Sequence, residues 1–191
     1  GGICFNEWLI QQGYLTVKDY PDQPTPLAKV QIDWAKTKAW GDGGYYGRLF
    51  LNVKGREPQG VIDPADYESV RTELIEKIVA IQDPHGNPLG SRAYRPQELY
   101  REVRGIAPDL LVYFGDLYWR SVGSIGSKSI YTFDNDTGPD EANHDWHGIF
   151  VLNAEGCRAG GFATGQTQGL RIYDIAPMLL GLFDGELPDR H

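Results

Sequence analysis

Cysteine is scarce in this chain and long apolar runs are missing. Cys4 and Cys157 are its two cysteines, too few to staple a disulfide scaffold. No apolar stretch approaches the ~20 residues that span a bilayer. The opening "GGICFNEWLIQQGYL" has neither the basic n-region nor the long h-region of a secretory signal. Positive charge is also in short supply: 18 Lys and Arg stand against 26 Asp and Glu, a net charge of −8. Proteins grip nucleic-acid backbones with many cations, so this balance argues against such a partner and leaves room for small anionic substrates. Together these absences imply a soluble protein of a reducing, cytoplasmic compartment, with no membrane partner. The chain opens on Gly1 rather than Met and is read as a fragment. What is present, 41% hydrophobic and 12% aromatic residues over 191 positions, suits one domain, or one domain and a small lobe.

Local patterns give an α/β order. "FNEWLIQQGYLTV" reads as a helix with Asn6 as its N-cap and Gly13 as its stop, followed by a short strand at 14–17. Pro21, Pro24 and Pro26 then mark a linker or surface crossing. Two β-rich runs, 37–40 and 46–53, flank "GDGG" and suggest a hairpin or bulged pair, with Leu49, Leu51 and Val53 alternating. In "DPADYESVRTELIEKIVAIQDP" Asp63 caps a helix, Pro64 fits its first position, and Val70, Leu74, Ile75, Ile78 and Ile81 share one face. "RAYRPQELY" reads as an extended piece and a helical turn. "PDLLVYFG" and residues 148–154, "GIFVLNA", read as strands covered on both faces. "IYDIAPMLLGLFDG" reads as a helix starting near Asp174, with Pro177 in its first turn. The order predicts a mostly parallel or mixed sheet with covering helices.

One loop concentrates possible chemistry. "YTFDNDTGPDEANHDWHG" places Asp134, Asp136, Asp140, Glu141, His144, Asp145 and His147 close together ahead of an apolar run. Carboxylates and imidazoles are ligands of Zn²⁺ and Mn²⁺, so a metal site is one reading. A calcium loop fits poorly, because Gly138 is fifth from Asp134 where the EF-hand pattern needs its glycine sixth. A solvated acidic loop, its histidines bonding locally, is the third reading.

Several segments resemble a known family: "FNEWLIQQGYL", "IDWAKTKAW", "LFLNVKGREPQGVI", "YESVRTELIEKI", "APDLLV", "NDTGPDEANHDWHGIFVL" and "IYDIAPMLLGLF". Together they are similar to the C-terminal portion of the type I phosphodiesterase/nucleotide pyrophosphatase group, predicted phosphohydrolases of the alkaline phosphatase superfamily. The resemblance implies an α/β/α sandwich core, here residues 1–32 and 105–191, with an inserted α+β cap lobe at 33–104. It also implies two divalent ions, zinc or manganese, held by a set of Asp and His side chains that includes an Asp-His-Gly triplet and one late His. The late His lies four residues before a Gly that opens a strand, which is His144 ahead of Gly148 in this chain; His147 falls outside the pattern. No Asp-His-Gly occurs here, and no nucleophile is assignable: Ser121, Ser124, Ser127 and Ser129 sit in a Gly/Ser loop without an adjacent base.

The resemblance therefore implies the C-terminal part of a phosphoric ester hydrolase, which needs the missing N-terminal part of the same protein. On its own it is expected to bind metal weakly or not at all, to be inactive, and to dimerise or aggregate through exposed strand edges. For a phosphorylated small-molecule substrate the candidates are Arg56, Lys54 and Arg48, since guanidinium grips phosphate bidentately. An ion pair of Arg56 with Glu57 or Glu102 is the structural alternative. Two other functions stay open: a non-catalytic module binding a phosphorylated ligand or a protein, and a metal-dependent phosphomutase.

Overall fold

A computed structural model describes residues 1–134, 144–150, 169 and 171–182. Among them the chain is mixed α/β, with two sheets and four α-helices. It falls into two units, Gly1–Gly148 and Ile149–His191.

The first sheet of the larger unit is small and mixed. Its central strand β1 (Gly2–Cys4) runs parallel to β6 (Arg120–Val122) and antiparallel to β7 (Tyr131–Thr132). Helix α1 (Phe5–Gln11) continues directly from β1, and Gly13 at φ 76° stops it. Asn6 is not the cap expected from sequence. The N-cap is Cys4, whose side chain makes no capping bond. Asn6 sits inside the helix, fully buried, where its Nδ2 donates to the carbonyls of Gly41 (2.9 Å) and Gly123 (2.7 Å) and its Oδ1 accepts from the Gly41 amide (2.7 Å). Those bonds satisfy buried backbone groups of two other segments. No strand forms at 14–17 either. The Tyr14 carbonyl accepts from the amides of Lys38 and Ala39, and Val17 makes one isolated bridge to Ile32.

The second sheet is antiparallel throughout, in the order β2 (Ala39–Asp42), β3 (Gly47–Leu51), β5 (Leu110–Tyr113), β4 (Arg92–Tyr94). Strands β2 and β3 form the hairpin that "GDGG" suggests. Its period of two sends Leu49 and Leu51 into the core, with Arg48 and Phe50 left on the opposite face. Strand β5, with Leu110, Leu111 and Val112 all buried, occupies the middle. It belongs to this sheet although it lies beyond residue 104 in the chain.

Helix α2 (Tyr67–Val79) begins as its local chemistry dictates. The Asp63 carboxylate accepts from the Ala65 amide (3.1 Å), and Pro64 opens a 3-10 turn that runs into the helix. Leu74 and Ile78 are fully buried in one core cluster with Leu49, Leu51 and Val112, while Val70 and Ile75 pack at its margin. A short helix α3 (Pro96–Leu99) follows β4.

Of the strand expected at 148–154, residues 148–150 carry no strand pairing and 151–154 lie outside the described residues. Asp134 is described, whereas Asp136, Asp140 and Glu141 of the acidic loop are not. In the smaller unit a 3-10 turn (Ile172–Asp174) leads into helix α4 (Ile175–Leu182), and the Asp174 carboxylate accepts from the Arg171 amide (2.8 Å) at its start. Among the described residues no helix is long and apolar enough to cross a membrane.

Candidate functional site

The tip of the β2–β3 hairpin rests on β6. Gly44 and Ser121 exchange both backbone hydrogen bonds, at 2.8 and 2.9 Å. Only glycine allows this approach: a Cβ on Gly43 would stand 2.6 Å from the Gly123 nitrogen and 2.8 Å from the Ser121 oxygen. Beside this seam lies a groove of ≈ 1050 Å³, lined by Leu27, Trp34, Trp40, Phe50, Tyr45 and Arg120 among others. Trp40 is stacked on Phe50 (5.5 Å) and meets Trp34 edge-on (5.1 Å). Arg120 donates from Nη2 to the Asp134 carbonyl.

His144 lies beside Tyr45, one of the residues that line this groove. Its ring lies against that of Tyr45, centroids 3.5 Å apart, and both residues are exposed. The next residues are fixed locally. The Asp145 carboxylate accepts from the His147 amide (2.9 Å), and Trp146 Nε1 donates to Asp116 (3.0 Å) while its ring packs on Tyr113 (5.0 Å). Arg48 shares the hairpin with Tyr45 and pairs with Asp42, its register partner, at 2.5 Å.

Arg56 and Lys54 lie beyond the far end of β3. Arg56 spans the Asp109 carboxylate from Nη1 and Nη2 (2.7 Å each), donates to the Leu51 carbonyl (2.6 Å), and bonds Glu57 from Nε (2.7 Å). Asp109, only 3% exposed, also accepts from the Tyr67 hydroxyl and the Leu51 amide, both at 2.6 Å. Burial first, and then the Asp109 carboxylate, push the Tyr67 phenol above its ordinary range. Arg71 donates to the same hydroxyl (2.8 Å) and stacks on the ring. The structural pairing of Arg56 thus involves Glu57, as the sequence suggests, and Asp109 rather than Glu102. Lys54 is 3.8 Å from Asp63.

The structure therefore brings His144 and Arg48 to one hairpin and sets Arg56 and Lys54 apart from them. Among the described residues no three His, Cys, Asp or Glu side chains converge to hold a metal ion. An exposed imidazole can ligate an ion, but one ligand does not make a two-metal centre. Ser127 and Ser129 spend their hydroxyls on the carbonyls of Ser129 and Tyr131, the behaviour of turn residues. Sequence reasoning missed Asp109, Asp116 and Tyr113. An acid directly before "LLVY" and a Gly-Asp pair after it mark the positions of the first two but say nothing of their partners. Comparison with family models, with curated proteins and with solved structures yields no match for this chain.

Proposed function

We propose that this chain is part of a metal-dependent phosphohydrolase of the phosphodiesterase/nucleotide pyrophosphatase type, to which it contributes one late metal ligand, His144, and the lobe that covers the substrate. The observation that carries this reading is the seating of His144 on Tyr45, a residue that lines the aromatic groove and shares a hairpin with Arg48. An imidazole held there faces solvent, where an ion and a phosphate can reach it. In this reading the β6–β1–β7 sheet, with its parallel β1–β6 pair, is part of an alkaline-phosphatase-like α/β/α core, and residues 33–104 are the inserted cap, whose sheet takes its β5 strand from beyond residue 104. Arg48, whose guanidinium makes one bond to the exposed Asp42, takes the phosphate-facing role ahead of Arg56, whose guanidinium is held by Asp109, Glu57 and the Leu51 carbonyl.

Two divalent ions, zinc or manganese, would supply charge stabilisation at the attacking and leaving oxygens. In this reading the remaining ligands and the nucleophile lie in the N-terminal part of the same protein that the resemblance implies, and no catalytic step is assigned to this chain beyond ligation and covering.

The product of the full reading frame is expected to hydrolyse bis(p-nitrophenyl) phosphate with Zn²⁺ or Mn²⁺. His144→Ala should lower that rate by more than about 100-fold, beyond the loss of an outer-shell partner. The 191 residues alone should show no turnover. Turnover by these 191 residues, abolished by His144→Ala, overturns the division of ligands. No turnover by the full product with either metal overturns the hydrolase in favour of a binding module.

A further inference from the structure

The face of the β2–β3–β5–β4 sheet turned away from α2 carries rings. Leu49, Leu110 and Val112 go to the core with Leu74 and Ile78, so the alternation puts Arg92, Tyr94, Leu111 and Tyr113 on the other side. Tyr113 is the hub: Trp146 lies 5.0 Å, Tyr46 5.5 Å and Tyr94 6.0 Å from it between ring centroids. Trp146 remains 53% exposed and Tyr46 37%. After Tyr113 and Phe114 the backbone makes a left-handed turn, with φ of 55° at Gly115, 55° at Asp116 and 73° at Leu117. Two non-glycine residues in succession there are rare. That turn sets the Asp116 carboxylate at the edge of the patch, where it accepts from Trp146 Nε1 (3.0 Å) and lies 3.8 Å from Arg92 Nη2. The side chains of Asp116 and Arg92 are both about half exposed.

The chemistry of the patch selects its ligand. Arg92 offsets Asp116, so the site attracts neither a cation nor an anion. The three outer rings converge on Tyr113 instead of framing a gap, unlike a cage for a quaternary ammonium. A plain arene would stack on the rings but use neither the carboxylate nor the guanidinium at their edge. A neutral sugar satisfies both halves: its C–H face packs on electron-rich rings, and adjacent hydroxyls donate to Asp116 and accept from Arg92. Burial and the neighbouring tyrosines push the Tyr113 phenol above its ordinary range, so it remains a hydrogen-bond donor at neutral pH.

We propose that Tyr113, Tyr46, Tyr94, Trp146, Asp116 and Arg92 bind the pyranose ring of a neutral sugar. Trp146 is two residues from His144, a span of at most about 7 Å. The ring is then the organic part of a phosphoester; that link rests on the phosphohydrolase reading, whereas the sugar site does not.

The test is saturation-transfer NMR on the 191-residue chain, with a chelator present, using methyl β-D-glucopyranoside and methyl α-D-mannopyranoside as probes and tetramethylammonium and p-cresol as competing classes. At least one pyranoside is expected to bind in the millimolar range. Asp116→Asn, which tolerates the left-handed backbone, and Tyr46→Ala are each expected to weaken it about tenfold, with circular dichroism unchanged. Absence of pyranoside binding, preference for tetramethylammonium or p-cresol, or indifference to both variants overturns the proposal. Pyranoside binding by a chain whose full product hydrolyses no phosphodiester leaves the sugar site standing and removes the hydrolase; the converse removes the sugar site alone.

Discussion

Two buried polar side chains decide how the larger unit is held together. Asp109 is almost wholly buried and ties β3, the 54–57 turn and α2 through Arg56, Tyr67 and the Leu51 amide. Asp109→Ala would strand those donors, so a loss of about 3 kcal/mol is expected in urea denaturation. This figure sits at the low end for a buried pair because the Arg56 side chain is 43% exposed. Asn6→Ala should cost a similar ~2–3 kcal/mol by leaving the Gly41 and Gly123 backbone groups unpaired. Neither role was legible in the sequence. Asn6 next to a helix start looks like a cap, and its real partners lie 35 and 117 residues away. Asp109 likewise meets Arg56 across 53 residues. Long-range pairing leaves no local pattern to read.

At the scale of elements, legibility followed locality. Helix α2 was readable because its cap, its proline and its apolar spacing are all short-range. The β2–β3 hairpin was readable because alternation and a glycine-rich turn are too. The strand expected at 14–17 failed because the backbone there bonds the entry to β2 instead of forming a ladder. Leu74→Ala in α2 is expected to cost about 2–5 kcal/mol, the range for emptying a fully buried leucine site. The same helix carries a pH-sensitive pin. Tyr14 donates to Glu73 (2.7 Å), and Lys77 donates to both residues. The Lys77 ammonium first, and then the Tyr14 hydroxyl, hold the Glu73 carboxyl below its ordinary 4.5. The unfolded chain therefore takes up that proton more readily. The stabilisation is complete above pH 4.5 and is lost as the pH falls through the lowered native value. Wild-type and Glu73→Gln melting temperatures should differ at neutral pH and converge in acid; a constant difference would remove Glu73 from the pin. The effect is small because Glu73 is half exposed.

For the whole molecule, the sequence conveyed the α/β class, while the antiparallel second sheet and the place of β5 within it depended on strand pairing between distant segments. Ile106, Tyr118 and Phe133 are strongly exposed, and among the described residues no further strand joins the outer strands of either sheet. Concentration-dependent self-association is therefore expected in sedimentation experiments; a strictly monomeric chain at every concentration would contradict this. The central claim, that His144 beside Tyr45 is a metal ligand, is tested most directly by Mn²⁺ titration of the 191-residue chain with its histidine side chains observed by NMR. The chain has four histidines, His85, His144, His147 and His191. The account predicts that His144 resonances broaden first and that acidification, by protonating the imidazole, reverses the effect. Uniform broadening of all four histidines, or broadening led by another histidine, would contradict it.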